Sequence, residues 1–143
     1  MDKIDLDILK LLKKNGRMTS SDISKRVQLS IPAVSERIRK LEEAKIINQY
    51  TILVNRPKLN LNLMAFILVN VDSQHVPKFK QKILQCDSIL ECHHLAGECD
   101  YLLKVVVENT AALENFVTNT LKKEIPVAKT NTIVVLSTLK EQI

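Results

Sequence analysis

The reading of the fold turns on one stretch. It runs Thr19-Ser20-Ser21-Asp22-Ile23-Ser24-Lys25-Arg26-Val27, breaks at Gln28-Leu29-Ser30, and resumes as Ile31-Pro32-Ala33-Val34-Ser35-Glu36-Arg37-Ile38-Arg39-Lys40-Leu41. Thr19 with Asp22 three residues on is a capping-box-like helix start, and Ile23 and Val27 supply a buried face. Ser30 is placed to cap the next helix, with Pro32 in its first turn, where a missing N–H costs nothing. At about 100° per residue, Val34, Ile38 and Leu41 fall within about 60° of arc and define a buried stripe. Pro32, Ser35, Glu36, Arg39 and Lys40 lie opposite, with Arg37 on the flank. That face is short at its N-terminal end and basic at its C-terminal end. A short helix, a tight turn and a helix with such a face is the helix-turn-helix arrangement, whose second helix enters the DNA major groove. A solvated charged face is the competing reading.

Outward from this pair, Ile4, Ile8, Leu11 and Leu12 recur at helical spacing, and Gly16 stands where a left-handed helix end is expected. After the third helix, Ile46-Ile47 and Tyr50-Thr51-Ile52-Leu53-Val54 predict two short strands, a wing packed on three helices. Charge is unevenly spread. The chain carries +5 over 143 residues, but residues 1–60 hold 13 Lys+Arg against 7 Asp+Glu, whereas residues 61–143 hold 8 against 9. All five arginines lie in the first part, and their planar donor forks suit phosphates and guanine edges.

Asn55 to Asn60 reads as a linker. Beyond it the periodicity predicts strand 63–71, helix 76–86, strand 89–96, a turn at 97–100, strand 101–107, helix 110–122 and strand 130–138. Helical stripes are supplied by Val76, Phe79 and Ile83, and by Leu113, Phe116, Val117 and Leu121. The order βαββαβ is the ferredoxin-like motif, with both helices on one face of an antiparallel sheet. The expected fold class is therefore α+β, a winged helix-turn-helix (1–54), a linker (55–62) and a βαββαβ domain (63–143). The strands read as continuous apolar runs, such as Ala65-Phe66-Ile67-Leu68-Val69, where one wet face would demand alternation. A second copy of the chain is the simplest cover for the other face, so a homodimer is expected.

Asp5-Leu6-Asp7-Ile8-Leu9, Leu29-Ser30, Arg37-Ile38-Arg39-Lys40-Leu41-Glu42, Ile47 with Tyr50-Thr51, and Gly97-Glu98-Cys99-Asp100-Tyr101 occur in that order. Together they resemble the family of the leucine-responsive regulatory protein and AsnC, the feast/famine transcription regulators, over nearly the whole chain. Two positions depart from its pattern. Lys45 and Asn60 stand where the family usually has glycine, and Asn tolerates the left-handed backbone. The resemblance implies double-stranded DNA as partner, and dimers often assembled into octamers. It also implies a free amino acid as effector, held between dimers near Gly97, Asp100, Tyr101 and Thr132. The candidate DNA-contacting residues are Thr19, Ser20, Ser30, Pro32 and Ala33 at the helix starts, then Ser35, Glu36, Arg37, Arg39 and Lys40 along the third helix.

Other classes find less support. No Gly-rich phosphate loop, HExxH or GxSxG occurs, no paired carboxylates suit acid–base work, and both glycines are read as turn residues, so no enzyme, catalytic residue or cofactor is expected. Five aromatics, with neither Tyr50 nor Tyr101 in a basic platform, argue against single-strand stacking. A regulatory module that binds an amino acid and docks its N-terminal helices on a protein is the alternative from another class, and an effector-independent DNA-organising protein is a further one. Cys92, His93, His94 and Cys99 match no zinc spacing. Strand alternation puts Cys92 and His94 on one face and His93 on the other, so no metal site is expected. The longest apolar run, Leu63–Val69, is strand-sized, no signal peptide is read at the N-terminus, and three cysteines form no disulfide framework. A cytoplasmic protein without a membrane partner is expected.

Overall fold

A computed structural model describes residues 1–141; residues 142 and 143, counted above in the second domain, lie outside the described residues. The chain forms two compact units, Met1–Val54 and Asn55–Glu141.

The first unit holds three helices, α1 (Lys3–Lys14), α2 (Ser20–Val27) and α3 (Ile31–Glu43). Each begins on a side-chain cap. Asp2 and Asp5 form a reciprocal capping box at α1, the Thr19 hydroxyl accepts from the Asp22 amide (3.1 Å), and Ser30 accepts from the Ala33 amide (3.3 Å). Ile8, Ile23 and Val34, all fully buried, meet at the centre with Leu12 and Leu41. Ile38 and Ile47 pack against them.

Two expectations fail here. Gly16 is not left-handed: α1 ends on extended Asn15, whose side-chain oxygen accepts the Arg17 amide (3.0 Å) and forms the turn instead. The wing strands at 46–47 and 50–54 are not formed. Lys45 adopts the left-handed conformation (φ 57°) and closes α3 in a Schellman motif, its amide on the Glu42 carbonyl (3.0 Å) and that of Ile46 on Leu41 (2.9 Å). The Ile47 amide goes to the same Leu41 carbonyl (3.1 Å), so neither isoleucine has an amide left for a ladder. The segment that follows is tied to α3 by the Tyr50 hydroxyl, which donates to Glu42 (2.8 Å).

In the second unit a 3₁₀ turn at Arg56–Leu59 ends on Asn60 in the left-handed conformation (φ 60°), as Asn permits. Then come β1 (Leu63–Asn70), α4 (Val76–Leu84), β2 (Ile89–His94), β3 (Tyr101–Val107), α5 (Thr110–Asn115) and β4 (Lys129–Val135). The sheet is antiparallel in the order β2-β3-β1-β4. One face carries Ala65, Ile67, Val69, Leu103, Val105 and Val107 under Phe79, Ile83, Leu113, Phe116 and Leu121. The opposite face aligns Met64 with Val106 and Val135, and Phe66 with Lys104 and Ile133.

Helix 110–122 departs from expectation. After Asn115 it continues as a π-helix over Phe116–Glu124. In an α-helix Phe116 and Leu121, five residues apart, would diverge by about 140°. Hydrogen bonds that reach five residues bring both onto the core, at 5% and 0% exposure. The last strand stops at Val135, and Leu136 and Leu139 beyond it are almost fully exposed.

Candidate functional site

Helix α3 presents Pro32, Ser35, Glu36, Arg39 and Lys40 to solvent, with Ala33 and Arg37 half-buried at its flanks. At the ends of the turn, Thr19 and Ser30 are exposed and Ser20 is half-buried. Both capping hydroxyls are already engaged, Thr19 also donating to the Asp22 carboxylate (2.6 Å). The tight turn rests on Gln28 in the left-handed conformation (φ 56°).

The cations of α3 are not free. Arg37 turns away from the exposed face to α1, where Nη1 donates to Asp2 (2.8 Å) and Asp5 (2.6 Å). It thereby braces the capping box that starts the first helix. Both carboxyls sit below their ordinary range, chiefly through the backbone amides of the capping box and then through Arg37. Arg39 grips Glu36 as a fork, Nε to Oε2 (2.9 Å) and Nη2 to Oε1 (2.7 Å), and Nη1 bonds Glu43. Lys40 reaches Glu36 at 3.7 Å. Arg39 holds the Glu36 carboxyl low. The Arg39–Glu43 contact has simple helical spacing. The Arg37–Asp2–Asp5 brace joins residues 35 and 32 apart, and no sequence spacing announces it.

The turn 97–100 is held by Asp100. Its Oδ2 accepts from the Val71 amide (2.8 Å), its own amide donates to Val69 (3.0 Å), and its carbonyl accepts from Leu95 (2.8 Å). Gly97 does not owe its place to the turn: its φ is not positive, and a side chain there would meet nothing within 4 Å. Of the four residues expected around an effector, Gly97 and Asp100 share this turn and Tyr101 begins β3 beside it. Tyr101, however, is buried in the core, its ring 4.6 Å from Phe79 and stacked on His94 at 4.8 Å. Thr132, half-buried on β4, pairs with Ile67, and β1 separates it from β3 by two strand spacings, roughly 10 Å. Cys92 and His94 face the helices and His93 the opposite side; among the described residues no three His, Cys, Asp or Glu converge as metal ligands. Nor is any helix among them long and apolar enough to cross a membrane.

A helix-turn-helix with an exposed polar second helix, followed by an α+β unit, defines a DNA-binding transcription regulator with a ligand-binding domain. Residues 1–48 match the family model for winged helix-turn-helix DNA-binding, and residues 64–143 match that for the Lrp/AsnC ligand binding domain. The chain belongs to the Lrp/AsnC family, whose members are transcription regulators rather than enzymes. It is 36% identical over 137 residues to the HTH-type transcriptional regulator LrpC of Bacillus subtilis, covering 96% of this chain and 92% of LrpC. It is 35% identical over 144 residues to the leucine-responsive regulatory protein of Escherichia coli K12, covering 99% and 88%. Among solved structures, the transcriptional regulator NMB0573/L-Met complex from Neisseria meningitidis superposes with a TM-score of 0.96 at 34% identity, covering 99% of this chain and 94% of that one.

Proposed function

We propose that this regulator reads duplex DNA through α3, with Pro32, Ser35, Glu36, Arg39 and Lys40 toward the major groove. Thr19, Ser20 and Ser30 at the helix N-termini lie against phosphates. The exposure of this face, opposite the stripe of Val34, Ile38 and Leu41, carries the reading. Arg37 is left out of the contact set because it turns from the exposed face toward α1, where it braces Asp2 and Asp5. In this reading residues 1–54 bind DNA, residues 63–143 bind an effector and a second copy, residues 55–62 connect them, and the protein acts in the cytoplasm.

The working form is a homodimer, assembled further into an octamer or another assembly of dimers. The apolar outer face built on Met64, Phe66, Leu68 and Leu102 supports the dimer, since a monomer would leave it wet. Two DNA-binding units in a dimer read two half-sites spaced by whole helical turns. A free amino acid is the effector class, which the relative solved with L-Met supports. Half-buried Asp100 supplies an acceptor for its ammonium, and the space beside Gly97 is open.

Arg39→Ala tests the DNA reading. A contact to a base edge loses about 5- to 150-fold on the preferred duplex, and a phosphate contact loses affinity equally on all sequences with a shallower salt slope. Unchanged affinity for every duplex removes Arg39 from the interface. A thermal-shift screen against the twenty amino acids tests the effector: a hit that Asp100→Ala abolishes supports the pocket, and a flat screen refutes it.

A further inference from the structure

The helix that would face a polyanion is self-neutralised. Within α3, Arg37, Arg39 and Lys40 are balanced by Glu36, Glu42 and Glu43, and each of the three cations has a carboxylate within 4 Å. Arg39 is held from both sides. Glu36, one turn before it, takes two of its N–H groups as a fork, and Glu43, one turn after, takes a third. Three of five guanidinium donors are thus committed in the free protein. The three side chains are about half exposed (52%, 47% and 62%), so the pairs are exchangeable at modest cost.

Resting on the reading of α3 as the groove helix, we propose that Glu36 and Glu43 form a carboxylate clamp that withholds Arg39 from phosphates at large. Arg39 then meets DNA by exchanging partners. An unclamped arginine gains wherever a phosphate lies near, whatever the sequence. A clamped one gains only where DNA offers more than two carboxylates already do, and a bidentate guanine edge is such an offer. The clamp lowers sequence-independent binding more than it lowers specific binding, so it widens the ratio between them. Glu43 is a positioning residue in this scheme. It separates the clamp from base reading better than Glu36, which also holds Lys40 and lies mid-helix on the groove face.

The test is a double-mutant cycle in the full chain, read by fluorescence anisotropy across a salt series. The probes are a random-sequence 40-base-pair duplex and a duplex enriched from a random library by the wild-type protein. E43Q is expected to tighten binding to the random duplex about 2- to 5-fold and to steepen the salt slope by about one unit. It tightens the enriched duplex less, so the specificity ratio falls. In an R39A background E43Q relieves bare repulsion on both duplexes alike and is expected to leave the specificity ratio unchanged. An equal fall of the ratio in that background would reduce the effect to through-space repulsion and overturn the clamp, as would an E43Q variant indistinguishable from wild type. If R39A itself binds both duplexes like wild type, the reading of Arg39 as a groove contact falls and the clamp with it. R39A that weakens binding beside a silent E43Q overturns the clamp alone.

Discussion

The Lys104 ammonium lies 2.9 Å from the Glu91 carboxylate, across the ladder between β3 and β2. It stands among Phe66, Leu102 and Val106 on the outer face of the sheet, and the residue is only 9% exposed. A lysine so placed needs partners, because an uncompensated charge on an apolar face is strongly unfavourable. Glu141 is the second: it bonds Lys104 Nζ (2.5 Å) and Arg56 (2.8 Å), so the end of the described chain, the 3₁₀ turn and two strands meet in one network. Arg56 first, then Lys104, hold the Glu141 carboxyl down to about 2.

This depression makes the second unit sensitive to acid. A carboxyl whose folded pKa is lowered stabilises above its unfolded value, near 4.5, and that contribution is lost as pH falls toward about 2. Glu141→Gln should cost about 1–2 kcal/mol at pH 7 and flatten the decline in stability over that window. Urea denaturation at several pH values measures both; equal stability of variant and wild type at pH 7 refutes the network's role.

Lys45 pays the left-handed penalty that a glycine would escape. Lys45→Gly should stabilise the first unit by about 1 kcal/mol, a rise of a few degrees in its melting temperature. Calorimetry decides, and an unchanged or lower transition would mean that the lysine side chain offsets its own strain.

Arg37 is a brace between α3 and the start of α1. Arg37→Ala should lower the melting temperature of the first unit while the salt slope of DNA binding stays as in wild type, because no phosphate contact is removed. Intact stability with a shallower slope would return Arg37 to the interface.

The outer sheet face should hold two copies together. Sedimentation of the wild type at micromolar concentration is expected to show no monomer, and Leu68→Asp, which sets an unpaired charge opposite Leu102 in that face, should release one. A monomeric wild type would sink the dimer.

Much of this was legible in the chain. The 3.6-residue stripe of Val34, Ile38 and Leu41 placed α3 and its exposed face, and Ser30 and Thr19 marked helix starts where they stand. The βαββαβ order and the partition of Cys92, His94 and His93 followed from local period alone. These are properties of neighbours in sequence, set by rise and rotation per residue.

Tertiary placement decided the rest. The wing strands failed because Leu41 had already taken the amides of Ile46 and Ile47, and the helix at Phe116 widened so that Leu121 could share its face. Tyr101 went to the core because Phe79 lies over it. Sequence alone determined which side chains α3 shows to solvent. That Arg37 is committed to Asp2 and Asp5 depends on how α1 packs across α3, for an ion pair needs two charges within about 4 Å and spacing along the chain does not measure that distance.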